Sequence, residues 1–149
     1  MIRRMSHACF YVLDQDRARQ FYTERLGLQL RSDLPMGGEF EGAGAGFRWL
    51  TVGPSDQPDL EFILADPAMG NDEQTAEQIR ALVAKGALGP GVLETDDCQK
   101  AYEELSGRGV VFTQEPAARP YGTEAVFRDD SGNWFSLVQR SAGAPGSPS

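Results

Sequence analysis

A short alternating strand followed at once by an aspartate-capped helix occurs twice in this chain, once in each half, and that repetition limits the folds open to it. From Met5 to Leu13, Ala8, Phe10 and Val12 point one way while His7, Cys9 and Tyr11 point the other. That is the period-two pattern of a half-buried strand, so both of its faces need cover. Asp14 or Asp16 can cap the following helix, whose Ala18, Phe21, Tyr22 and Leu26 form an apolar stripe, and Gly27 closes it in a left-handed turn. In the second half Val92 to Thr95 is a strand, and Asp96 or Asp97 caps a helix carrying Ala101, Tyr102 and Leu105. Gly107 and Gly109 end that helix.

Three further strands follow each helix. Leu28 to Leu34, Phe47 to Val52 and Leu60 to Leu64 complete the first module, with a glycine-rich loop from Gly37 to Gly46. Val110 to Thr113, Glu124 to Arg128 and Trp134 to Gln139 complete the second, the last two joined by the tight turn Asp129 to Asn133. Glu73 to Lys85 lacks proline and glycine and ends at Gly86, which predicts a linking helix. The expected architecture is α+β, with two βαβββ modules in one domain over 1–140. Module 1 spans about 1–68, the linking helix about 73–85 and module 2 about 87–140, and the tail 141–149 is expected to be disordered.

A chain of 149 residues with 40% apolar and 9% aromatic side chains has enough apolar mass for a real core. Its net charge of -8 repels phosphate backbones and anionic bilayers, which argues against nucleic acid and membrane partners. The apolar run behind Arg3 and Arg4, Ala8 to Leu13, is too short for a signal-peptide core or a membrane span, so a cytoplasmic protein is expected. Two cysteines, Cys9 and Cys98, make no disulfide framework and read as free thiols.

The run from His7 to Asp14, with Arg19-Gln-Phe21-Tyr22 and Leu26-Gly27-Leu28 behind it, resembles the first module of the vicinal oxygen chelate superfamily. The ending Phe127 to Gln139, with Gly132-Asn133 inside it, is similar to that superfamily's final hairpin, and the resemblance covers Met5 to Gln139. Glyoxalase I, bleomycin-resistance-type binding proteins, extradiol dioxygenases and fosfomycin-resistance enzymes share this fold, so it does not fix one activity. The resemblance implies two curled mixed sheets around a cleft formed within a chain or across a homodimer, with a metal ligand on the first and last strand of each module. His7 and Glu61 match the first module's two positions, on neighbouring strands with Glu61 facing the cleft. His7 lies nine residues before Asp16, and nine before Asp97 stands Leu88; three past Asn133, where the family's last carboxylate falls, stands Ser136.

One imidazole and one carboxylate fall short of the three protein ligands a divalent first-row ion generally needs. Glu94, Asp59 and Glu124 carry oxygens but occupy no family ligand position. The expected cofactor is therefore none, with a divalent metal ion held by His7 and Glu61 as the alternative. Three readings stay open. The first is a metal-independent small-molecule-binding protein, its cleft lined by Cys9, Tyr11, Trp49, Trp134 and Ser136, with Arg119 and Tyr121 reaching over from the loop Arg119 to Gly122. In the second, His7 and Glu61 catalyse: as an acid–base pair, or in a divergent metal-dependent lyase, isomerase, dioxygenase or thiol transferase. The third is a dimeric interaction module whose polar pair merely lines a closed cleft.

Overall fold

The computed structural model describes residues 1–36 and 47–142; the glycine-rich loop and residues 143–149 of the tail lie outside the described residues. Each helix starts the same way, with an aspartate side chain accepting the backbone N–H three residues on. Asp14 accepts from Arg17 ahead of α1 (Gln15–Gln20), Asp72 from Thr75 ahead of α2 (Glu73–Ala84), and Asp97 from Lys100 ahead of α3 (Cys98–Gly107). Beyond Gln20 the coil widens into a π-type turn over Phe21–Arg25. Gly27, with φ at 75°, then reverses the chain in the left-handed region.

Eight strands surround these helices: β1 (His7–Tyr11), β2 (Gln29–Met36), β3 (Phe47–Gly53), β4 (Glu61–Ala65), β5 (Gly91–Glu94), β6 (Val111–Arg119), β7 (Gly122–Arg128) and β8 (Trp134–Arg140). They form two unclosed four-stranded mixed sheets of matching order, β1-β4-β3-β2 and β5-β8-β7-β6. In each, the first strand of the module runs parallel to the last. β6 runs six residues past its expected end at Thr113. It is an edge strand, where Pro116 forfeits no ladder bond, and it absorbs the proline through two register shifts.

The helix-bearing faces of both sheets share one core. Phe10, Tyr22, Leu50, Val52, Phe62 and Leu64 of the first module and Val110, Phe127, Phe135 and Leu137 of the second are all buried in a single cluster. The Phe10 ring meets Phe135 edge-on at 5.5 Å, and Phe127 stacks on Phe135 at the same distance. A polar seam locks the modules beside it. The Tyr22 hydroxyl donates to Asp129 Oδ2 at 2.6 Å, Asn133 Nδ2 donates to the Tyr11 carbonyl at 2.8 Å, and Leu13 N–H donates to Ser131 Oγ at 2.8 Å. Asp129 Oδ1 gathers the backbone N–H groups of Ser131, Gly132 and Asn133, which fixes the turn that reaches across. With both helix-bearing faces turned to one core, the outer face of each sheet points away from it.

Candidate functional site

On the outer face of the first sheet the parallel register sets His7 directly beside Glu61. His7 Nε2 lies 3.4 Å from Glu61 Oε2, a long contact between two groups that are each about one-third exposed. Thr51, fully buried on β3, donates its hydroxyl to the other carboxylate oxygen, Oε1, at 2.7 Å. Ser6 Oγ sits 2.9 Å from His7 Nδ1, so the imidazole is held at both nitrogens and the carboxylate at both oxygens. Trp49 packs its ring against His7 at 5.8 Å, tilted by 53°. Cys9 and Tyr11 follow along β1 on the same face, Cys9 exposed and the Tyr11 hydroxyl 3.5 Å from Asn71 Nδ2. Partial desolvation by its neighbours pushes the Cys9 thiol up, so it stays protonated at neutral pH.

His7 and Glu61 bring two side-chain ligands together, short of the three that a divalent first-row ion generally needs. Among the described residues no three His, Cys, Asp or Glu side chains come together, and Thr51 already occupies one oxygen of the carboxylate. Nor does the second module contribute. The observed caps Asp14 and Asp97 are 83 residues apart, two more than the Asp16-to-Asp97 spacing expected from the sequence. The residue matching His7 is therefore Pro90, not Leu88. At the other ends of these strands Val12 N–H bonds Ala65 O and Thr95 N–H bonds Val138 O, so Ala65 matches Val138 and, four residues back, Glu61 matches Trp134. Ser136 lies opposite Val92, as Ile63 lies opposite Cys9. Neither proline nor tryptophan supplies a lone pair to an ion.

Trp134 and Ser136 stand on the outer face of the second sheet, apart from His7. Trp134 is 37% exposed and Ser136 8%. The indole lies over the loop before β5, where a β-carbon on Gly89 would sit 2.2 Å from the ring. Arg119 and Tyr121, expected on a loop, belong to a hairpin whose turn holds only Pro120 and Tyr121 between paired Arg119 and Gly122. Both reach Glu124 of β7: the Tyr121 hydroxyl donates to Oε1 at 2.8 Å, and Arg119 Nε lies 3.7 Å away. That hydrogen bond to a carboxylate pushes the Tyr121 phenol up, keeping it protonated. A cavity of about 350 Å³ opens here, walled by Val92, Pro120, Tyr121, Glu124, Val138 and Arg140.

Of the residues expected to line one cleft, His7, Glu61 and Trp49 lie together while Trp134 stands on the other sheet, and the parts that Thr51 and Glu124 play were not foreseen. Thr51 shares strand parity with Trp49, and Glu124 shares it with Val126, alternating with the buried Ala125 and Phe127 on β7, so the period-two pattern held the signal for both.

A family model described as the Glyoxalase/Bleomycin resistance protein/Dioxygenase superfamily matches residues 4–137. The uncharacterized protein YurT of Bacillus subtilis (strain 168) is 37% identical over 131 residues, covering 87% of this chain and 94% of that protein. Among solved structures, UcmS2 is 49% identical, with 93% of this chain and 99% of UcmS2 covered and a TM-score of 0.84. TnmS3, an antibiotic binding protein from Streptomyces sp. CB03234, is 32% identical over 94% of this chain and 98% of its own, with a TM-score of 0.71.

Proposed function

The chain belongs to the Glyoxalase/Bleomycin resistance protein/Dioxygenase superfamily, and from that footing we propose that it binds a largely apolar, aromatic small molecule of antibiotic type without the help of a metal ion. The observation carrying this reading is the outer-face arrangement. Each sheet offers one outward tryptophan: Trp49 against His7, with Glu61 beside it, on the first, and Trp134 on the second, with Arg128 opposite it and Ser136 two residues along its own strand. Broad rings with a few oriented polar atoms suit a planar ligand held by stacking. The likeness to an antibiotic binding protein supports the ligand class.

The outer faces also bear exposed apolar side chains, with Leu34 57% and Val92 59% exposed. A homodimer that sets the first sheet of one copy against the second sheet of its partner covers both and encloses a cleft. We place this dimer in the cytoplasm.

Trp49 and Trp134 are the only tryptophans, so intrinsic fluorescence reads both faces. Titration with a panel of planar aromatic antibiotics is expected to quench emission, and Trp49→Phe and Trp134→Phe each to weaken binding about tenfold, given ~1 kcal/mol or more per stacked ring. A panel that leaves emission unchanged would overturn the ligand class. Binding is expected to survive chelator treatment; a stoichiometric divalent ion that is lost in His7→Ala would overturn the metal-free reading. A second reading, proton transfer at His7, draws on the Thr51–Glu61–His7 chain of contacts. Under it His7→Gln keeps ligand affinity and loses turnover of the bound compound.

A further inference from the structure

The two halves of the module seam are related by the same spacing that relates the modules, and only one half is closed. Counting 83 residues from the first module's strand and helix carries Tyr11 to Glu94, Leu13 to Asp96 and Tyr22 to Leu105. Counting back from β8 and β4 by the Val138 and Ala65 match carries Asp129 to Asp56, Ser131 to Pro58 and Asn133 to Leu60. Each of the three side-chain bonds that close the first half thus loses a partner in the second. Leu105 has no hydroxyl for Asp56, the Pro58 side chain has no acceptor for the Asp96 N–H, and the Leu60 side chain has no amide for the Glu94 carbonyl.

Where the staple fails, a groove of about 1170 Å³ opens. Its apolar lining includes Leu26, Leu28, Leu60, Leu93 and Leu105, side chains that are only partly buried although they pack against the core. Asp56, Asp96 and Glu104 stand on its rim, and none is ion-paired among the described residues. The fourth rim acid, Glu94, is engaged by Arg140 at 2.7 Å. Arg108, the remaining cation, commits Nη1 to the Arg25 carbonyl. An apolar trough under a surplus of carboxylates repels fatty acids and neutral sugars alike, the first by charge and the second by desolvation.

From this geometry we infer that the open half of the seam is a second binding site, for an amphiphilic cation: a hydrophobic chain or ring system bearing an amine or quaternary ammonium group. The apolar body lies on Leu60, Leu93 and Leu105, and the cation faces Asp56 and Glu104. This site lies on the core side of the sheets and does not depend on the outer-face ligand. The groove and the smaller cavity share Val92, Val138 and Arg140 at the β5 edge, so the test uses residues that line the groove alone.

Decyltrimethylammonium, decanoate and neutral decyl maltoside, titrated below their micelle concentrations by calorimetry, form the test. The cation is expected to bind at one site at least tenfold more tightly than either competitor. Asp56→Lys with Glu104→Lys should weaken it tenfold or more and leave the neutral probe unmoved. Leu105→Tyr with Leu60→Asn supplies partners for two of the three missing bonds, and should abolish binding of the cation while raising the unfolding temperature. Trp49→Phe and Trp134→Phe should change nothing in this titration, even if they abolish binding of the aromatic ligand. Equal affinity for cation and anion, indifference to the charge reversal, or loss of binding in Trp134→Phe alone would each overturn the assignment.

Discussion

Tyr22→Phe removes one hydroxyl from the closed half of the seam and leaves the volume of the ring in place. Tyr22 is 1% exposed, so no water replaces the lost donor. Its partner Asp129 keeps four others: the three turn N–H groups on Oδ1 and the Asn133 amide on Oδ2, at 2.9 Å. A hydrogen bond to a charged group contributes about 1.5–3 kcal/mol, and the surviving donors put this one in the lower half, about 2 kcal/mol. For a chain of this size that is a fall in Tm of about 4–8 °C, and in urea an unchanged slope with a lower midpoint. The pH axis gives a second readout. Burial, with the Asp129 charge behind it, holds the Tyr22 phenol well above its ordinary value of 10. The unfolded chain therefore ionises this group first, and stability present below pH 10 is lost as pH rises beyond it. Tyr22→Phe should flatten that alkaline loss. A destabilisation under about 0.5 kcal/mol, or an alkaline limb identical to that of the parent, would refute the claim that this bond locks the modules.

Two further changes probe other supports of the site. Gly122 carries φ of 141°, and a β-carbon there would meet the Gln139 carbonyl at 2.0 Å. Gly122→Ala should cost about 2 kcal/mol or more and dislodge Tyr121 from Glu124, read by urea unfolding and by weakened ligand affinity. Arg48 grips Asp33 with two bonds of 2.7 Å and, with Arg19, holds its carboxyl down at about 2. Because the folded value is depressed, the stabilisation is present above the ordinary value near 4 and disappears as pH falls toward 2. Allowing for solvent screening it amounts to about 1–2 kcal/mol. Arg48→Met should reduce that acid dependence between pH 4 and 2 to the share Arg19 supplies, measured by unfolding at stepped pH; an unchanged acid limb would count against it.

Elements marked by a strong local signal were legible in the sequence. Aspartate caps, closing glycines and alternating runs placed the three α-helices and eight strands of the described residues, because each signal acts within a few residues of its effect. The pairing of His7 with Glu61 followed from the family resemblance, which makes the first and last strands of a module neighbours, together with strand parity, which turns Glu61 to the same face. Register between modules was not legible, since Asp14 and Asp16 are both competent caps and only the bond to Arg17 separates them. The end of β6 was hidden by Pro116, whose tolerance depends on lying at a sheet edge. Nor does parity along one strand say what faces it from elsewhere. It set Trp134 and His7 on outward faces without revealing that those faces belong to separate sheets turned from a common core.

That separation allows a decisive test of the proposed cleft. If the cleft lies between the first sheet of one copy and the second sheet of its partner, a variant dead in either sheet has no working site in its own homodimer. Trp49→Ala with Glu61→Ala disables the first sheet; Trp134→Ala with Glu124→Ala disables the second. Unfolded and refolded together in equal amounts, the two should exchange at random, so that half of the dimers are mixed. Each mixed dimer holds one site built from two damaged sheets and one built from two intact sheets. About a quarter of the parental binding capacity should therefore return, at full affinity, from two proteins that each bind nothing. Recovery at full affinity excludes a cleft formed within one chain, because every chain in the mixture carries a damaged sheet. No recovery, in a sample where mixed dimers are verified by mass spectrometry, would place the ligand on a single sheet or within one copy, and the dimeric cleft would have to be abandoned.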